Sequence, residues 1–467
     1  MRPALLRAVH DGTRLEPVSL ELGTDGLKLT IGRRQYFFPF VTYPNGERDA
    51  YATLAACARA AAADGIDLLG CASCVRFRFS GMSQQFSGGE AGYCALAGFR
   101  STRGIVSIDH GCGEFIKADG WPGDLDAAYR SRMNVADSEP RPSRLNAFEG
   151  AIVGLAAGDA LGHPAEFHRR ADIIRTFGPD GIQDFVAVGD PAWRTPFHGT
   201  HHPAGTYTDD TQMSLAVAEA LVDWNRGDLE TLMQGMASRF ADWSRSPEND
   251  RSPGATTMTA CGKLASGVKW REAGVPNSKG CGSAMRVAPI GLFFWRDIPR
   301  LLEAARASSL ITHGHDAAVE SSAAAALLVA LAMSKRNPEE MFQTLMEECA
   351  PRSPDLKACL ERLPRLLQED PAEALSARGL GEGWVAEEAV VSALYCFWRN
   401  PLDFRAAVLS AVNTDGDSDS IACIVGGISG AFNGLSAIPE SWQKEVENGG
   451  GLIDVARRLC HAAESSG

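Results

Sequence analysis

From residue 145 onward, apolar residues recur at positions i, i+3, i+4 and i+7, and this periodicity restricts the possible folds more than any other feature of the chain. The pattern is clear in residues 213–224 and 421–432, and residues 316–333 are rich in Ala and Leu. Such spacing places the apolar side chains on one face of a helix. Because few segments alternate with the period of two that is typical of strands, residues 145–467 are predicted to form one all-α domain.

A polar segment with two prolines precedes the helical region, and residues 135–144 are therefore predicted to form a linker. The 134 residues before it have a different character. Strand-like patterns occur at 16–30 and 35–43, a helical pattern occurs at 48–63, and residues 70–114 are rich in Gly, Ser and Cys. Residues 1–134 are predicted to form a small, Cys-rich α+β domain.

Four of the twelve cysteines lie near one another in the predicted N-terminal domain, namely Cys71, Cys74, Cys94 and Cys112. Four thiolates bind Zn²⁺ tetrahedrally or ligate a [4Fe–4S] cluster, and either would stabilise a loop-rich segment that has few apolar residues. Four reduced cysteines without a shared role fit the spacing equally well, because only the first two form a C-x2-C pair. The N-terminal domain is also a candidate for binding a protein partner.

The charge balance argues against several classes of partner. The chain has 45 basic and 58 acidic residues, a net charge of −13, so it lacks a general electrostatic attraction for nucleic acid or anionic membranes. The longest apolar run, 323–333, is shorter than the roughly 20 residues that span a bilayer, and residues 1–10 are too short for a signal peptide. We expect a soluble, cytoplasmic protein that binds neither membrane nor nucleic acid.

Two clusters of acidic and hydroxyl residues, 207–211 and 413–420, each stand directly before an apolar helix. Their oxygen donors are Thr208, Asp209, Asp210, Asp417, Asp419 and Ser420. Helix capping alone explains one such cluster, since Thr208 is a good N-cap and carboxylates are stabilised in the first turn. Two crowded clusters favour hard cations such as Mg²⁺ or Mn²⁺, and they predict a two-ion site if the helix starts face each other.

A third element, residues 154–166, combines small residues with two further carboxylates. Its small residues permit close helix packing, and Asp159 and Glu166 add acidic oxygens near its end. Taken alone, this segment is typical of a core helix with a polar end.

Taken together and in order, these segments resemble the ADP-ribosylglycohydrolase family, of the dinitrogenase reductase-activating glycohydrolase type. The resemblance covers about residues 145–440. The matching segments are Gly158–Glu166, Thr208–Thr211, Gly280–Pro289, Ile311–His315 and Gly416–Ser420. It implies an all-α fold with two Mg²⁺ or Mn²⁺ ions at the base of a cleft for ADP-ribose.

The resemblance also implies roles for individual residues. Thr208, Asp209 and Asp210 would bind one ion, and Asp417, Asp419 and Ser420 would bind the other, with Asp419 as the bridge. The predicted catalytic residues are Glu166, Asp210 and Asp419. The predicted substrate-binding residues are Gly280, Cys281, Gly282, Ser283, Met285, Arg286 and His313. Cys281 stands where many relatives carry Asn.

The implied reaction is hydrolysis at C1″ of ADP-ribose attached to a protein, with arginine as the expected acceptor. Serine-linked ADP-ribose and O-acetyl-ADP-ribose are alternative substrates. A different class of function is a partner-binding or immunity-type protein whose N-terminal domain recognises an ADP-ribosyltransferase.

Overall fold

The computed structural model divides the chain into two compact units, Met1–Pro140 and Arg141–Gly467. In the first unit it describes only the strands given below. In the second it describes residues 143–464 apart from 190–192, 194–200, 225–226 and 252.

The strands of the first unit form antiparallel sheets. They are β1 Arg7–His10, β2 Arg14–Leu22, β3 Gly26–Ile31, β4 Arg34–Pro39, β5 Val41–Thr42, β6 Arg48–Asp49, β7 Ile66–Leu69, β8 Phe77–Phe79, β9 Ala91–Cys94 and β10 Ile105–Ser107. Five of them pair in the order β4-β3-β2-β1-β7, three in the order β10-β9-β8, and β5 pairs with β6. Residues 50–63 of the predicted helix lie outside the described residues, as do Cys71, Cys74 and Cys112, whereas Cys94 ends β9.

The described part of the second unit consists of helices joined by turns and loops, the longest of which runs from 178 to 208. The helices are α1 Arg144–Gly162, α2 Arg170–Phe177, α3 Asp209–Asp223, α4 Leu229–Trp243, α5 Ala255–Ala265, α6 Trp270–Ala273, α7 Ala288–Phe293, α8 Ile298–Leu310, α9 Asp316–Met333, α10 Pro338–Glu348, α11 Pro354–Leu366, α12 Pro371–Ala374, α13 Ala386–Arg399, α14 Phe404–Val412, α15 Ser418–Asn433, α16 Glu440–Glu445 and α17 Gly449–Glu464. The prediction of an all-α fold for this region is confirmed.

The predicted apolar stripes lie on α3 and α15, and the Ala/Leu-rich segment is helix α9. By length and composition α9 could cross a membrane, but 83% of the stretch is buried inside the protein. That burial is what the central helix of a packed bundle requires, because a helix that is apolar on all sides needs neighbours on all sides.

Helices α1 and α15 run antiparallel with their backbones in contact. A Cβ atom added at Gly150, Gly154 or Gly158 would lie 2.5, 2.5 and 2.1 Å from the carbonyl oxygens of Gly430, Gly426 and Ala422. No side chain fits at such distances, so the four-residue spacing of glycines brings the two axes closer than ordinary helix packing allows. The prediction of close packing in this segment is confirmed.

This contact determines where the acidic residues lie. At the last residue of α1, a Cβ on Gly162 would stand 2.4 Å from the Cα atom of Asp419. The end of α1 and the start of α15 are therefore held against each other, which brings Asp159 and Glu166 near Asp417 and Asp419.

Candidate metal and active site

Asp159 of α1 fixes the start of α3. Its carboxylate accepts hydrogen bonds from the backbone N–H of Thr208, at 2.9 and 3.0 Å, and from the N–H and hydroxyl of Thr211, at 3.0 and 2.6 Å. Thr208 is the N-cap, as predicted, and accepts from the backbone N–H of Asp210 at 3.3 Å. The Asp209 and Asp210 carboxylates thus occupy the first turn of a helix whose N-terminus is anchored to α1.

The start of α15 is shaped by a tight turn. Gly416 has a φ of +88°, and a Cβ there would lie 2.2 Å from the carbonyl oxygen of Glu382, so the position requires glycine. The next residue, Asp417, donates its backbone N–H to the same carbonyl at 2.8 Å. The 380–385 segment therefore packs directly on the second acidic cluster.

Six buried carboxyl groups meet where these three helix ends converge: Asp159, Glu166, Asp209, Asp210, Asp417 and Asp419. Burial raises the pKa of each. Mutual repulsion raises the pKa further for four of them, Glu166, Asp209, Asp210 and Asp419. The pKa of Asp159 rises from 3.8 to about 6, because burial outweighs its four hydrogen bonds. Burial also raises the pKa of Asp417, and hydrogen bonding, including that from the Cys281 thiol, partly opposes the rise.

Glu166 reaches this cluster through an unusual backbone conformation. It follows the 3-10 turn His163–Ala165, and the next residue, Phe167, has a φ of +59°. The Phe167 N–H donates to the carbonyl oxygen of Gly416 at 2.6 Å, which ties Glu166 to the loop before α15. Burial and then the charges of Asp417 and Asp209 raise the pKa of the Glu166 carboxyl well above its usual value.

The predicted substrate loop lies beside this cluster. Residues Cys281–Ser283 form a 3-10 turn, and Cys281 donates its N–H to the Trp384 carbonyl oxygen at 3.3 Å. A Cβ at Gly282 would stand 3.1 Å from the His313 ring, so the loop lies flat against that imidazole. Burial lowers the pKa of His313 to about 3, with a smaller effect from Arg286, and the ring is neutral at physiological pH.

Arg286 supports the loop from behind. Its guanidinium is fully buried and donates to the carbonyl oxygens of Gly282 and Ser308, both at 3.1 Å, and to the Thr312 hydroxyl at 2.8 Å. Thr312 in turn shares a 2.8 Å hydrogen bond with Nδ1 of His313. In this structure Arg286 positions the loop and His313. Its charge offsets only a small part of the rise that burial and the neighbouring carboxylates cause in the pKa of Asp209.

Two sulfur-containing side chains of the substrate loop contact the second acidic cluster. The Cys281 thiol donates to Oδ2 of Asp417 at 3.1 Å and lies 3.7 Å from the Ser420 hydroxyl. The Met285 sulfur lies 3.9 Å from the same hydroxyl. The predicted ligands and the predicted substrate loop are thus brought together in one place.

The donor set suits a hard divalent cation in its chemistry. It comprises carboxylate and hydroxyl oxygens, and two buried oxygens, Asp210 Oδ2 and Asp419 Oδ1, have no hydrogen-bond partner. Within the described residues, however, no three His, Cys, Asp or Glu side chains are arranged so that they could hold one ion. The carboxylates stand near one another without forming a closed coordination shell.

A sequence model of the ADP-ribosylglycohydrolase family matches residues 140–467. The chain belongs to this family. A solved structure titled ADP-ribosylglycohydrolase-related protein complex aligns over 68% of this chain and 99% of its own, with a TM-score of 0.55 and 26% identity.

Three curated relatives each align with about two thirds of this glycohydrolase. An uncharacterized protein of Archaeoglobus fulgidus is 31% identical over 67% of this chain and 95% of its own length. The ADP-ribosylarginine hydrolase Tri1 of Pseudomonas putida is 28% identical over 65% of this chain and 74% of its own. The human ADP-ribosylhydrolase ARH3 is 29% identical over 65% of this chain and 90% of its own.

Three features of this glycohydrolase were not found by sequence reasoning. They are the anchoring of α3 by Asp159, the thiol contact between Cys281 and Asp417, and a stack of Phe167 on Trp384 with ring centroids 4.4 Å apart. Each joins residues far apart in sequence. The only early signal was the position of Phe167, directly after the segment Gly158–Glu166.

Proposed function

We propose that this glycohydrolase is a divalent-metal-dependent enzyme that hydrolyses the C1″ bond of ADP-ribose attached to arginine side chains of proteins. The observation that carries the proposal is the convergence of six buried carboxyl groups at the ends of α1, α3 and α15. Such a cluster is costly unless protons or cations neutralise it. The Tri1 relative, by its name, acts on ADP-ribosylarginine, and that supports arginine as the acceptor.

The residues that would hold the ions are the ligands expected from the sequence. Thr208, Asp209 and Asp210 project from the start of α3, and Asp417, Asp419 and Ser420 from the start of α15. Both sets lie at positive helix ends, which stabilises their ionised forms. Mg²⁺ or Mn²⁺ bound there would polarise oxygen atoms of the substrate and orient the hydroxyls of the distal ribose.

The chain's own residues supply the remaining parts of the reaction. The bond between C1″ and the guanidine nitrogen breaks while a water oxygen bonds to C1″, through a transition state with oxocarbenium character. The Glu166 carboxyl, with its raised pKa, is suited to exchange a proton with that water or with the leaving nitrogen. The Gly280–Ser283 loop lies against neutral His313, where glycines let a diphosphate and ribose approach the backbone closely.

The decisive experiment measures release of ADP-ribose from an arginine-ADP-ribosylated protein, with Mg²⁺ and with EDTA. Release that depends on Mg²⁺ is expected. A serine-ADP-ribosylated protein and O-acetyl-ADP-ribose are tested in parallel. Release from one of these and not from the arginine-linked protein would identify that compound, in place of ADP-ribosylarginine, as the substrate. Release that is equally fast in EDTA would contradict the metal dependence.

A further inference from the structure

Trp384 is the most exposed of the large apolar side chains in the described part of the chain, with 49% of its surface accessible. Its indole stacks on the ring of Phe167, at 4.4 Å between centroids and 29° between planes. One face of the indole is therefore covered. Because about half of the side chain remains exposed, the opposite face is open to another planar group.

Both rings of this stack are attached to the catalytic centre through short stretches of backbone. Phe167 directly follows Glu166, and its N–H donates to Gly416. Trp384 follows Gly383, where an added Cβ would stand 3.3 Å from the Cβ of Asp417. The stack therefore lies at the edge of the carboxylate cluster, next to the group expected to act at the scissile bond.

The charges around the stack favour a cation. Asp415 and Glu382 border the same loops, and Arg169 is paired with both of them, at 3.8 and 2.5 Å. Glu388 also lies here and accepts from the backbone N–H groups of Glu382 and Gly383 at 3.0 and 3.2 Å. The guanidinium of Arg362 acts on Glu388, so these three carboxylates outnumber the two arginines beside them, and a positively charged group that approaches the indole meets a negative field.

We propose that Trp384, backed by Phe167, is the platform on which the guanidinium of the ADP-ribosylated arginine stacks. The inference rests on the proposed function and specifies how the same site distinguishes its acceptor. A guanidinium is planar and cationic and stacks well on an indole face, whereas a serine or an acetyl ester offers no such group. Trp384 is then a specificity-determining residue for the acceptor, and the Gly280–Ser283 loop binds the ADP-ribose moiety.

The test uses two peptides of identical sequence that carry ADP-ribose on arginine or on serine. Trp384→Ala is expected to lower kcat/KM for the arginine peptide by roughly 5- to 30-fold, mainly through KM, because a partly desolvated cation–π contact is lost. Trp384→Phe should retain most of the activity, and Trp384→Leu should behave like the alanine variant. Leu402→Ala, at an exposed apolar position between α13 and α14, is the control and should match the wild type.

Binding measured without turnover separates this inference from the proposed reaction. In a Glu166→Gln background, calorimetry should show that Trp384→Ala weakens binding of the arginine peptide and changes the affinity for free ADP-ribose by less than about twofold. If Trp384→Ala weakened binding of the arginine and serine peptides equally, or weakened binding of free ADP-ribose by the same factor, Trp384 would not be the platform for the guanidinium. If the wild type does not cleave the arginine peptide while this binding difference persists, the proposed reaction fails and the platform stands.

Discussion

Replacing Gly162 by alanine tests whether backbone contact between α1 and α15 positions the carboxylates. The new Cβ would lie 2.4 Å from the Cα and 2.6 Å from the backbone nitrogen of Asp419, whereas real Cβ contacts are almost never shorter than 3.0 Å. The helix ends must separate by about 0.6 Å or more. Because the neighbouring atoms are backbone, no side-chain rotation relieves the clash.

Two effects are expected from this separation. Overpacking of this kind costs about 1–3 kcal/mol of unfolding free energy. Displacement of Asp419 by most of an ångström should also lower kcat by roughly 100-fold, because catalytic geometry tolerates such shifts poorly. Urea denaturation measures the first effect, and ADP-ribose release measured well below the melting temperature gives the second.

Matched glycine variants separate the two effects. Gly150→Ala creates a similar clash, 2.5 Å from the Gly430 carbonyl oxygen, but it lies twelve residues away, about 18 Å along α1. It should lose stability and keep most of its activity. Gly262→Ala in α5 has no atom within 4 Å of the new Cβ and should be neutral or stabilising. Equal loss of activity in Gly150→Ala and Gly162→Ala would refute the reasoning.

Three further predictions concern the carboxylates. Asp209→Asn and Asp417→Asn should each abolish Mg²⁺-dependent release of ADP-ribose while circular dichroism stays unchanged, and a variant with full rate would exclude that residue as a ligand. Asp159→Asn turns an amide N–H₂ toward the N–H groups of Thr208 and Thr211. This variant should bind Mg²⁺ roughly 10- to 100-fold more weakly by calorimetry, because residues that orient metal ligands act on this scale. Unchanged affinity would show that α3 is held by other contacts. In EDTA, the melting temperature should fall as pH rises from 4 through 6 and beyond. The folded state keeps protons on carboxyl groups of raised pKa, such as Asp159 at about 6, whereas the same groups in the unfolded chain have lost theirs. Mg²⁺ should flatten this slope, and an identical slope with and without Mg²⁺ would contradict cation binding at the cluster.

The periodic parts of the fold were predictable because they depend on local pattern. Helices α3, α9 and α15 follow directly from apolar spacing, and the cap at Thr208 follows from its hydroxyl beside two acidic residues. The small residues near Gly158 indicated close packing, although the partner helix could not be read from them. The second acidic motif was placed beside the first only through the family resemblance.

The remaining features depend on contacts that no local pattern encodes. Asp159 meets Thr208 across 49 residues, and Cys281 meets Asp417 across 136. Trp384 stands beside the site because its segment hydrogen-bonds to Cys281, and nothing in its immediate sequence distinguishes it from an ordinary residue before a helix. These residues acquire their roles only when the helices are assembled.

The pairing of α1 with α15 also has a consequence for the order of events when the chain is made. The two helices are far apart in the sequence although they touch in the fold, and 260 residues separate Asp159 from Asp419. At typical rates of translation that interval takes on the order of 10–50 s. During this time the first carboxylates are already outside the ribosome without their counterparts, so the nascent chain has no concentrated negative site to attract a cation. Hydrolase activity should therefore appear abruptly, late in synthesis, when α15 packs against the glycines of α1.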